Sequence, residues 1–132
     1  MSAVQQKSPP AFSGSVSRAL LALLFATSAM LHFTLPSQYA SVVPPWLPAH
    51  ALLVLISGIA ELAGAIGLLW APVRRSAGLG LLLLCVAVFP ANVQMWLDAM
   101  AAYKPVWTVA ALLVRLPLQL PLMMWIWRVS RN

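Results

Sequence analysis

Two ionisable side chains stand inside long apolar runs of the sequence, Glu61 in residues 51–71 and Arg115 in residues 106–127. At the α-helical rise, Glu61 lies about 15 Å and Arg115 about 13.5 Å from the start of its run. If both runs begin at the same membrane face, the two groups share a height near the midplane. A charge at the centre of a spanning helix costs on the order of 2.5–3.5 kcal/mol, and such groups usually line a cavity or a relay. A lone carboxylate in hydrocarbon takes up a proton, whereas a guanidinium stays charged. The expected arrangement is therefore an intramembrane Glu61–Arg115 ion pair. Its plainest use would be to fix one helix against another.

Other polar residues fall at compatible heights. His32 has Ser28 one turn deeper on its face, Asn92 follows Pro90 in Phe89-Pro90-Ala91-Asn92, and Thr108, Ala111, Arg115 and Gln119 form one stripe at helical spacing. Glu61 is flanked at helical spacing by Ser57, Gly58, Gly64 and Ala65, small residues that allow close helix approach. Pro117 and Pro121 open the hydrogen-bond ladder beside Arg115. We expect a small polar pocket open toward the outer face, floored by Glu61 and Arg115 and walled by His32 and Asn92, with Gln119 on the Arg115 stripe. In it Arg115 would hold an anionic or carbonyl oxygen, Glu61 would orient Arg115 or exchange a proton, and His32 and Asn92 would supply hydrogen bonds. Taken singly, His32 reads equally well as an interfacial hydrogen-bonding residue and Asn92 as a helix-to-helix contact. The single cysteine, Cys85, excludes an internal disulfide, a CxxC pair and a cysteine-based zinc site, and reads as an apolar filler. His32, His50, Glu61 and Cys85 have no metal-ligand spacing, so no metal is expected.

Positioning these groups requires membrane spans. The chain has 132 residues, 62% hydrophobic and 8% charged, with mean hydropathy +0.90; a soluble domain carries about a quarter charged residues. Four apolar runs, 19–35, 51–71, 76–97 and 106–127, are long enough to cross a bilayer. The expected fold is all-α, an integral membrane four-helix bundle. Lys7, Arg18, Arg74, Arg75, Arg128 and Arg131 flank one side and Lys104 the other, which predicts that both termini are cytoplasmic. Trp46, Tyr103 and Trp107 at the outer ends, and Trp70, Trp125 and Trp127 at the inner ends, fit interfacial aromatic belts. The net charge of +6 flanks hydrophobic runs and forms no stripe, so no nucleic-acid partner is expected. Residues 1–17, rich in Pro, Ser and Gln, read as a disordered cytoplasmic tail, and residues 18–128 as the membrane domain. A signal peptide cut near Thr27-Ser28-Ala29 is the competing reading of the first run, which continues through that site and favours a retained helix. The outer segment 36–50, with four prolines and apolar Val42, Val43, Trp46 and Leu47, is expected to lie as a stiff cap on the membrane surface.

Several segments taken in order resemble the DoxX-like family of small four-helix bacterial membrane proteins: His32-Phe33 with Pro36, Val43-Pro44-Pro45-Trp46-Leu47-Pro48, Ser57-Gly58-Ile59-Ala60-Glu61, Arg74-Arg75, Phe89-Pro90-Ala91-Asn92 and Arg115-Leu116-Pro117-Leu118-Gln119. The resemblance implies a compact bundle in the bacterial cytoplasmic (inner) membrane. The family's name derives from a subunit linked to thiosulfate:quinone oxidoreductase, which implies a quinone-like ligand or a place beside a redox complex. No catalytic signature accompanies it, so enzymatic activity of this chain alone is not expected. Three functions follow as expectations: an accessory bundle binding a small amphipathic or quinone-like molecule, transport of a small solute or proton through the same site, and an assembly partner of a membrane redox complex or of its own copies. Gly78 and Gly80 would permit close contact with such a partner.

Overall fold

The structure is a computed structural model and describes residues 14–132. Four long helices dominate it: α1 (Gly14–Thr34), α3 (His50–Leu69), α4 (Arg74–Ala101) and α5 (Val106–Arg131). A short helix, α2 (Pro36–Ala40), follows α1, and a 3-10 turn, Ala71–Val73, joins α3 to α4. All four long helices are long and apolar enough to cross a membrane. Neighbours in the ring are α1 with α3, α3 with α4, and α4 with α5, while α5 and α1 meet only narrowly.

The apolar runs mark the hydrocarbon-compatible part of each helix, and the helices extend past it. α4 and α5 continue to Ala101 and Arg131, beyond the expected ends at 97 and 127. α1 begins at Gly14, so residues 14–17 of the expected tail are helical; the rest of that tail lies outside the described residues. The early start has a tertiary cause: Trp125 Nε1 on α5 donates to Ser17 Oγ at 2.7 Å. Trp125 is thereby turned to a neighbouring helix, which removes it from the expected aromatic belt, whereas Trp46, Trp70 and Trp107 are exposed.

Prolines do not end α4 or α5. Pro90, Pro117 and Pro121 all lie inside helices, where each removes one ladder hydrogen bond and opens a carbonyl four residues earlier to another donor. α4 ends in a Schellman motif, with Lys104 N–H donating to Ala99 O at 3.0 Å and Tyr103 N–H to Met100 O at 3.1 Å. Tyr103 takes the left-handed φ of 51° that this motif normally reserves for glycine.

Packing divides the bundle into two halves. At the end carrying Arg18, Arg74, Arg75, Arg128 and Arg131, hereafter the basic end, each long helix contributes one side chain no more than 1% exposed: Leu21, Leu68, Leu81 and Ile126. Ala22, Phe25, Ala65, Cys85 and Val129 complete this plug. Arg74 ties the end together, Nε donating to Leu68 O at 2.8 Å and Nη1 to Asn132 O at 3.2 Å. In hydrocarbon the transfer of apolar surface gains little, so cohesion depends on close packing, which glycines permit. A methyl group on Gly64 would collide with Leu81, and one on Gly78 with Ser130. Gly78 is thus used inside the chain and not for the external contact expected of it, whereas Gly80 faces open space.

These contacts predict opposite outcomes for two identical substitutions. Gly64→Ala should destabilise the detergent-solubilised protein by about 1–3 kcal/mol, the range for overpacking a filled core. Gly80→Ala should be neutral or stabilising by up to about 1 kcal/mol, since alanine is the better helix former. Thermal unfolding followed by helical circular dichroism reads both.

Candidate functional site

Above the plug the helices part around a cavity of about 540 Å³. Its roof is the segment after α1, through Tyr39, Val42, Val43, Pro44 and Leu47, and its lower wall includes Phe25, Cys85 and Leu122. The segment expected as a surface cap has its first residues coiled into α2 and turns Val42, Val43 and Leu47 to the cavity, while Trp46 is exposed. His32, Glu61, Asn92, Arg115 and Gln119 all line this one space.

Glu61 is held by α1. Ser28 Oγ donates to Glu61 Oε1 at 2.9 Å, and His32 Nδ1 lies 3.1 Å from Oε2. The two helices approach this closely because Gly58, three residues before Glu61, leaves room for His32 and Phe33; a Cβ there would lie 2.8 Å from the Phe33 ring. His32 Nδ1 is also 2.8 Å from the Ser28 carbonyl oxygen. A carbonyl only accepts, so Nδ1 carries a hydrogen and gives it to Ser28. Glu61 Oε2 is consequently buried beside the imidazole without a hydrogen bond of its own, and the contact becomes an ion pair when the ring is protonated. Tyr39 of α2 stacks on the imidazole, ring centroids 4.0 Å apart and planes 28° from parallel, which couples the roof to this wall.

The opposite wall is an amide clamp between α4 and α5. Asn92 Nδ2 donates to Gln119 Oε1 at 3.1 Å, and Gln119 Nε2 donates to the Cys85 carbonyl at 2.6 Å. Cys85 precedes Val86, whose carbonyl loses its helical donor to Pro90, so the clamp grips α4 in the turn that proline loosens. Cys85 itself is buried among apolar neighbours, in keeping with a filler.

Arg115 corrects the central expectation from sequence. It does not pair with Glu61; its Nη1 is 3.7 Å from Met95 Sδ, and the side chain is exposed. The chain has only two acidic residues, both described: Glu61 is engaged by α1, and Asp98 accepts from Gln94 Nε2 at 2.8 Å. Similar depth placed Glu61 and Arg115 beside one cavity, but the helix that reaches the carboxylate first is α1, through the small face around Gly58. Ser28 was visible one turn from His32, and Gly58 one turn from Glu61. Tyr39 had no comparable signal, because nothing in residues 36–40 fixes which way a five-residue helix turns its aromatic ring. Among the described residues no group of three or more His, Cys, Asp or Glu is placed to hold a metal.

This geometry makes Arg115 energetically independent of Glu61. In a double-mutant cycle, Arg115→Met and Glu61→Gln should add to within about 0.5 kcal/mol, as sites without a shared contact do. Gln119→Leu should cost about 1–3 kcal/mol, because it strips partners from a buried amide and a carbonyl. Unfolding titrations of the four cycle members and of Gln119→Leu measure both effects.

No curated protein and no solved structure matches the chain. The model of one family, described as a domain of unknown function, DUF8561, matches residues 21–130. That stretch runs from the first turns of α1 to the end of α5 and includes every residue of the cavity, so the chain belongs to the DUF8561 family.

Proposed function

We propose that the protein is a membrane-embedded binding protein whose cavity takes a small amphipathic molecule, a quinone-like one being the first candidate. The observation that carries this reading is the gathering of the polar side chains of four apolar helices around one space of about 540 Å³. Such a volume, apolar with a few convergent polar groups, has the character of ligand sites in general. A ring with carbonyl substituents would find donors on the Arg115 side, the amide clamp on one wall, and the Ser28–Glu61–His32 cluster on the other. The apolar roof and the side chains of Leu84, Val88 and Leu122 suit its hydrocarbon portion.

The tight plug at the basic end favours binding over passage, since Leu21, Leu68, Leu81 and Ile126 leave the cavity blind there. The concentration of arginines at that end supports a cytoplasmic orientation for it and an outward-facing roof. With the resemblance of the sequence to DoxX-like proteins, this reading places the chain in the bacterial inner membrane as an accessory protein, with no catalytic step of its own assigned.

Val88→Trp puts an indole into the cavity from a wall position that makes no polar bond of its own. Protein purified in mild detergent should retain a small molecule detectable by mass spectrometry of the organic extract, and should be thermally stabilised by decylubiquinone. Val88→Trp should lose both while keeping its helical content. Equal retention by the folded Val88→Trp variant, or no retained molecule together with no stabilisation by any amphiphile, overturns the reading.

A further inference from the structure

Ser17, which meets Trp125 of α5, marks the side of α1 that faces the α5 seam. Leu20, Leu24, Thr27 and Leu31 continue that side at helical spacing toward the roof. They line a shallow, almost wholly apolar groove of about 380 Å³, which shares Leu24 and Ser28 with the cavity. The α1–α5 seam is also the narrowest contact between long helices that neighbour one another in the ring. It is pinned at the basic end by Trp125 and Ser17, while Leu24 of α1 and Leu118 of α5, both exposed, border the cavity further along. The groove, lined by α1 alone, therefore adjoins the cavity at Leu24 and Ser28.

Arg115 stands on the α5 side of that cavity, exposed, on a helix apolar enough to span a membrane, and both acids of the chain are engaged elsewhere. A guanidinium at such a depth faces a cavity or a partner, and an anion is the partner that compensates its charge. The fork of a guanidinium fits a carboxylate in bidentate fashion. A single fixed cation, one apolar groove and a blind cavity select a singly charged amphiphile with one tail.

From this we infer that the cavity binds a long-chain carboxylate drawn laterally from the bilayer through the α1–α5 seam, its head on Arg115 and its tail along the Leu20–Leu24–Leu31 groove of α1. The inference rests on the binding function proposed above and specifies its ligand charge and route. Leu24, shared by groove and cavity, sits at the threshold; Arg115 selects the head; neither role requires movement of the plug.

The test uses an oleate analogue carrying a diazirine and an alkyne on its tail, with the full chain in nanodiscs of zwitterionic lipid. Photolabelling mapped by peptide mass spectrometry should concentrate on α1 residues 20–31 and be displaced by oleate but not by oleyl alcohol. Arg115→Gln should weaken displacement by oleate at least about tenfold, the loss expected for a charge-assisted hydrogen bond. Arg115→Lys should restore part of it. Leu24→Trp should reduce labelling while Leu83→Trp, an exposed site on α4 outside the cavity, should not. Labelling spread evenly over the lipid-facing helices, or displacement unchanged in Arg115→Gln, overturns the inference. Saturable binding of decylubiquinone that survives Arg115→Gln and Leu24→Trp would overturn the carboxylate and its route while leaving the binding function standing. Absence of saturable binding of either probe removes both.

Discussion

The carboxylate of Glu61 is the group around which the upper half of the bundle is arranged. It is partly buried in a chain with one other acid, and α1 supplies both of its contacts, the Ser28 hydroxyl and the His32 imidazole. This fixes the height of α1 against α3, since a shift by one turn would move Ser28 and His32 past the carboxylate. It also engages the carboxyl group on the α1–α3 wall. Arg115 is left on the far side of the cavity with only a thioether beside it.

The separation of charges explains why the two halves of the molecule pack so differently. At the basic end, apolar side chains meet across glycines, and the layer of Leu21, Leu68, Leu81 and Ile126 excludes everything else. Further along, each pair of helices is joined by polar bonds of fixed geometry: α1 to α3 through Glu61, and α4 to α5 through Asn92 and Gln119. Two such pairs do not interdigitate as apolar surfaces do. The space between them is the cavity, and the α1–α5 edge, which has no comparable bond near the roof among the contacts described, is its loosest border. Gln119 grips the Cys85 carbonyl in the turn that Pro90 loosens, one residue before the Val86 carbonyl that Pro90 leaves without its helical donor.

Much of this was legible in the sequence. Length and apolarity give four helices long and apolar enough to span a membrane, and all five residues singled out for their polarity line one cavity. The pairing was not legible, for a physical reason. Counting along a helix gives height, but the partner of a buried charge depends on which helix approaches it and through which face. Attraction of opposite charges suggested Arg115, while the stronger determinant was steric: Gly58 lets α1 come close enough for a hydroxyl and an imidazole to reach Glu61. The start of α1 failed similarly. Gly14, Ser15 and Ser17 have the composition of a tail, but the Trp125 hydrogen bond holds that turn against α5. The inward fold of the roof depends on Tyr39 stacking on His32, a contact between segments whose relative orientation no local pattern encodes.

Arg115 then poses a question of charge balance for any chain that lies in a bilayer. Of eight basic residues, Lys7, Arg18, Arg74, Arg75, Arg128 and Arg131 fall by sequence at the basic end and Lys104 in the connection between α4 and α5. Of these only Arg115 lies inside one of the apolar runs, and long basic side chains can snorkel to water only from near the ends of a helix. Arg115 is nine residues past Val106, the start of α5, or about 13.5 Å along the axis, too deep for its head to clear the hydrocarbon without help. A neutral residue such as methionine would fill the same position at lower cost to insertion. Retaining a guanidinium there makes physical sense when the cavity brings water or an anion to it, and with Glu61 and Asp98 both engaged, the carboxylate proposed for it would come from outside the chain.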